Sequence, residues 1–107
     1  MSVIKYVRKD NYPIQIQILD ANGDPVSLSG ATVYFAVKSN LDDPTYLFQV
    51  SVTSHTDPLN GETEIPITSS QSDLLGEYTY DVSYVIGGVK RSVINNKIVF
   101  INNVTAI

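Results

Sequence analysis

The chain of 107 residues contains no cysteine and no tryptophan, a single histidine and a single methionine. Zero cysteine excludes a disulfide framework, a thiolate zinc site, an iron–sulfur cluster and a cysteine nucleophile, so stability must come from packing. One histidine excludes any metal site built on two imidazoles, which leaves only oxygen-ligand sites for calcium. Charge is also sparse: seven basic and eleven acidic side chains give a net −4. That balance argues against gripping nucleic acid or an anionic membrane, which takes a surplus of clustered Lys and Arg. No apolar run approaches the roughly 18–20 residues needed to span a bilayer. The N-terminus Met1-Ser2-Val3-Ile4-Lys5-Tyr6 lacks the apolar core of a signal peptide, which predicts a protein made in the cytoplasm. Asn103-Val104-Thr105 matches a glycosylation sequon, which without a secretory signal reads as a chance match.

What the chain does have is β-branched apolar residues. Val and Ile together number 24 against 11 for Ala and Leu, and stiff β-branched side chains favour a pleated surface. Apolar residues recur at every second position in Ile14, Ile16, Ile18, in Val33, Phe35, Val37, in Phe48, Val50, Val52 and in Ile65, Ile67. The longest beat is Tyr78, Tyr80, Val82, Tyr84, Ile86, with Thr79, Asp81, Ser83 and Val85 on the other face. This period of two marks strands with one buried face, and no segment carries a helical period.

Turn chemistry separates the runs. Asp20-Ala21-Asn22-Gly23-Asp24-Pro25 is expected to reverse the chain through positive φ at Asn22 and Gly23. Asp57-Pro58-Leu59-Asn60-Gly61 makes a later reversal, and Gly87-Gly88 suits a two-residue primed hairpin. Pro66 would delete a ladder hydrogen bond, so the Ile65–Ile67 strand is expected at a sheet edge or with that missing donor facing solvent. Asn95-Asn96-Lys97 reads as a bulge or bend in the last strand. About seven strands of this spacing, within the single domain 1–107, predict an all-β, immunoglobulin-like sandwich of antiparallel strands. That pattern also expects a tyrosine near the start of the penultimate strand with its hydroxyl tied to upstream backbone. Tyr78 stands at that place, a tyrosine corner or a plain core tyrosine, and Tyr80 stands where antibody domains carry a cysteine.

Catalytic chemistry is not visible. His55 lies in Ser54-His55-Thr56-Asp57 beside a turn, with no nucleophile elbow in the chain, and reads as a solvated loop histidine. Asp20, Asn22 and Asp24 could offer oxygens to calcium but lack the glycine and glutamate of a calcium loop, and turn chemistry accounts for them. Asp42-Asp43 and the pair Glu62 and Glu64 suggest no raised pKa or cleft. Lys5, Arg8 and Lys9, like Lys90 and Arg91, are too few for a nucleic-acid stripe and read as edge charges that discourage aggregation. Accordingly no catalytic, cofactor or metal residue is assigned. The remaining signal is apolar surplus on faces that a lone sandwich leaves wet: Val85, Val89, Val99, Ile101, Val104 and Ile107. These suit either a subunit interface or ordinary surface hydrophobicity.

The order of motifs resembles a known family. The run from Ile16 through Asp20-Ala21-Asn22-Gly23-Asp24-Pro25-Val26 and Leu28-Ser29-Gly30-Ala31-Thr32-Val33 is similar to the opening of the immunoglobulin-like N-terminal domain of phage baseplate upper proteins and related virion modules. Asn60-Gly61-Glu62 to Ile67 and Leu75-Gly76-Glu77-Tyr78-Thr79-Tyr80 resemble its later strands, so the likeness runs from about Pro13 to Phe100. The resemblance implies a bacteriophage virion structural protein (tail, baseplate, connector or head decoration) whose partners are other virion proteins and copies of itself, and no catalytic residue comes with it. In the baseplate proteins this domain precedes a stalk or receptor-binding region; a complete chain ending at Ile107 is expected to be a free-standing connector, decoration or completion protein. The alternative is an adhesin-like module holding host-surface carbohydrate, with Tyr12 and Tyr46 as its loop aromatics.

Overall fold

A computed structural model of the chain describes residues 3–40, 42 and 44–102, with backbone alone at 93–95. Among these residues are seven strands: β1 Ile4–Val7, β2 Ile14–Gln17, β3 Thr32–Lys38, β4 Phe48–Val52, β5 Glu62–Ile65, β6 Gly76–Ile86 and β7 Val89–Ile101. Five form a sheet in the order β1-β7-β6-β3-β4, and β2 and β5 form a second, two-stranded sheet. The expected all-β sandwich is what forms. One pairing departs from the antiparallel expectation, because β1 runs parallel to β7, Ile4 beside Ile98 and Val7 beside Ile101. A parallel neighbour needs a long crossover rather than a hairpin, and β1 and β7 stand at opposite ends of the chain.

The period-two beat fills the space between the sheets. Val33, Phe35 and Val37 of β3, Tyr80 and Val82 of β6, and Ile98 and Phe100 of β7 point inward from the large sheet and are buried. Ile14, Ile16 and Ile65 meet them from the small sheet, and Leu28, in the β2–β3 connection, closes the core with no exposed surface. Tyr80 packs its ring on Phe35 at 5.5 Å and 22°, a large aromatic pair in the centre of a core without a cystine. Burial pushes the Tyr80 phenol above its ordinary pKa.

Two local expectations are corrected, at Asn22 and in β7. Gly23 has positive φ (+84°) but Asn22 does not. The turn is held by Asp20 Oδ1, which accepts from the backbone N–H of Asn22 (2.9 Å) and of Asp24 (3.0 Å). That Asx geometry occupies the carboxylate that a calcium reading would use. The bulge in β7 lies not at Asn95–Lys97 but at Val93, since Ser92 pairs with Ser83 and Ile94 with Val82. β5 ends at Ile65, so Pro66 falls just beyond the ladder, after a strand that pairs with β2 alone among the described residues. Gly87 and Gly88, at φ +59° and +78°, join Ile86 to Val89 with both turn residues in the left-handed region of a type I′ hairpin.

Candidate interaction surfaces

The two ends of the sandwich are tied by buried polar contacts. At the base, His55 is half-buried rather than solvated: Nε2 donates to the Ala31 carbonyl (2.8 Å), which leaves Nδ1 to accept from the Thr63 hydroxyl (2.9 Å) in the neutral ring. Thr63 itself is 1% exposed, so this one imidazole joins β3's entry, the β4–β5 connection and β5. The sequence carried no signal for this, because the residues are eight and 24 positions from His55. Next to it Gly61 adopts φ +70°, and a Cβ there would stand 2.5 Å from the Ile18 carbonyl oxygen and 2.8 Å from that of Val26. A glycine is required by space as well as by φ.

At the opposite end Tyr6, 1% exposed, donates its hydroxyl to the Tyr12 carbonyl at 2.6 Å and stacks on the Tyr12 ring at 4.2 Å. Burial, with Tyr12 and Asp10 nearby, pushes its pKa up to about 12. A slot of about 270 Å³ runs between β1 and β2 beside this pair, lined by Ile4, Tyr6, Tyr12, Ile14, Ile16 and Tyr80. Ser72, fully buried, donates to the Asp10 carbonyl (2.6 Å), and Arg8 Nε meets Asp73 Oδ1 at 2.9 Å. Tyr78, near the start of β6, donates to the carbonyl of Leu75, three residues upstream, at 3.3 Å.

The apolar surface residues do not form one patch. Val99, between Lys5 and Glu77 in register, and Ile101, beside Val7, face outward from the large sheet near one end. Val85 faces the same way but lies eight positions along β6 from Glu77, about 26 Å at strand rise. Val89 pairs with Ile86 at the hairpin tip, where both are exposed. Val104 and Ile107 lie outside the described residues. The tip ends an arm of β6 and β7 that β3 lines along its β6 side from Thr79 to Val85, so only Ile86–Val89 project beyond the sheet, whereas β1 covers β7 only from Ile98 to Ile101. Among the described residues no strand therefore lies against the β7 edge facing away from β6 from Val89 to Lys97.

Charges separate in the same way. Lys90 and Arg91 are exposed on the arm and in no ion pair among the described residues, while Lys97 meets Glu77 at 3.4 Å. Glu62 and Glu64 stand beside Gln17 and Gln15 on the outer face of the small sheet. They border a groove of about 340 Å³ together with Ile16, Thr56 and Thr63. Asp42 is exposed in the β3–β4 loop, and Asp43 lies outside the described residues. No helix among the described residues is long and apolar enough to cross a membrane.

Among solved structures, the chain is similar to the N-terminal domain of phage TP901-1 ORF48, with a TM-score of 0.67 at 20% identity over 92% of this chain and 84% of that one. The chain has the fold of that phage domain. No family model matches the sequence, and no curated protein matches it. At this identity the fold is shared while most side chains differ, so surface features such as the arm charges and the Glu62–Glu64 groove are read from this chain alone.

Proposed function

We propose that this chain is a structural module of a bacteriophage virion, in a tail, baseplate, connector or head position, and that it works through protein–protein contacts. The observation that carries the reading is the likeness of nearly the whole chain to the phage domain. The strand order supports an immunoglobulin-like module within it: β7-β6-β3-β4 facing β2-β5 follows the order of a variable-type sheet against a reduced partner sheet, with β1 added beside β7. The commitment of both His55 nitrogens to structural hydrogen bonds supports a non-enzymatic role, since no other imidazole exists to act as a base. The carbohydrate reading gains nothing from its two tyrosines. Tyr12 already has one ring face on Tyr6, and Lys38 lies 5.1 Å over the ring of Tyr46.

Mass spectrometry of purified particles tests the proposal. The chain is expected at a fixed copy number relative to the major virion proteins, and its absence from intact particles overturns the reading.

A further inference from the structure

We propose that the β6–β7 arm of one copy docks on the acidic groove of the β2–β5 sheet of a second copy, so that the protein associates head to tail. Three observations converge. The first is the form of the arm: among the described residues no strand lies against its outer β7 edge before Ile98, and its tip presents Ile86 and Val89 with 37% and 53% of their surface exposed. An edge of that length left open is available for intermolecular contact.

The second is charge. Lys90, Arg91 and Lys97 are three of the seven basic residues; Glu77 meets Lys97 and Asp81 stands opposite Asn95, so the positive charge of the arm is concentrated at Lys90 and Arg91 beside the tip. Lys90 and Arg91 have no internal carboxylate partner among the described residues. A positive tip on an otherwise negative molecule is attracted to the body of its own kind, and the attraction orients the encounter.

The third is the place of the receptor surface. The groove of about 340 Å³ presents Glu62 and Glu64 with the carboxamides of Gln15 and Gln17. Carboxylates and amide oxygens accept hydrogen bonds from ammonium and guanidinium groups, and Arg in particular carries a planar fork of donors. The groove is on the outer face of the small sheet, while the arm extends the edge of the large one. Two different surfaces of one molecule then meet across copies, a heterologous contact that closes into a ring or grows as a filament. Self-association stands or falls separately from the virion role, which particle mass spectrometry decides.

Sedimentation of the whole chain over a concentration series, in about 50 mM and about 500 mM salt, is the test. Association is expected at low salt and at least about tenfold weaker at high salt. Lys90→Glu with Arg91→Glu, and separately Glu62→Lys with Glu64→Lys, should each weaken it by about tenfold or more, while circular dichroism and melting stay those of the wild type. An equimolar mixture of the two reversed proteins should recover association, because each then offers the other a complementary surface. A wild-type chain that stays monomeric at about 1 mM in low salt overturns the proposal. So does association indifferent to both charge reversals, or capture of an acidic partner protein in place of a second copy.

Discussion

The body of the sandwich and its β6–β7 arm are built from the same kind of strand, yet only the body is locked. His55 bridges Ala31 and Thr63 at one end, Tyr6 bonds Tyr12 at the other, and Leu28 seals the core between the connections. The arm is open along one side: β3 supports β6 from Thr79 to Val85, but among the described residues β7 from Val89 to Lys97 has β6 as its one neighbouring strand. The hairpin tip beyond β3 gains little from burial, whereas a packed face gains with every inward side chain. Substitutions in the body should therefore register as lost stability, and those in the arm as lost contacts with other molecules.

Leu28→Ala should give the largest effect, about 3 kcal/mol in urea unfolding, because a fully buried side chain under a loop leaves a cavity that β-strands cannot collapse into. Gly61→Ala follows at about 2 kcal/mol, from the left-handed φ and the two backbone oxygens in the path of the new Cβ. A loss under about 0.5 kcal/mol would show that the base is not locked there. His55→Ala should cost about 1–2 kcal/mol by leaving the buried Thr63 hydroxyl and the Ala31 carbonyl without their partner.

Alkali should loosen the opposite end more gently. The Tyr6 phenol titrates near 10 when unfolded and at about 12 in the fold. The folded state thus holds its proton more tightly, and stability is complete below pH 10 and declines as pH rises towards about 12. Tyr6→Phe should remove that part of the alkaline decline, measurable by unfolding at stepped pH. Lys90→Ala and Arg91→Ala should change stability least, by under about 0.5 kcal/mol, since both side chains are exposed and make no ion pair among the described residues. Equal losses in arm and body would erase the distinction between them.

Much of the body was legible in the chain. The alternation at Ile14–Ile18, Val33–Val37 and Tyr80–Val82 marks inward faces that the structure buries, though the beat that continues to Ile86 ends exposed at the hairpin tip, and Gly87-Gly88 announced its hairpin. His55 was not legible, because a histidine beside a turn looks solvated until β3's entry and β5 are folded against it. Tyr6 escaped for a similar reason: its burial depends on β1 lying beside β7, more than ninety residues away. The apolar surplus was visible as residues but not as surfaces, since Val85 and Val99 share a face at opposite ends of one hairpin.

By itself the sequence determined that this protein is all-β, where most strands run, and that its interior rests on aliphatic and tyrosine side chains in place of a disulfide. These are consequences of periodicity and turn chemistry, which act over a few residues. Only the tertiary structure decided the parallel seat of β1, the bridging role of the lone histidine, the space that obliges Gly61 to be glycine, and the separation of a basic arm from an acidic groove. Each depends on which strand lies beside which, and that choice is made by packing across the whole chain.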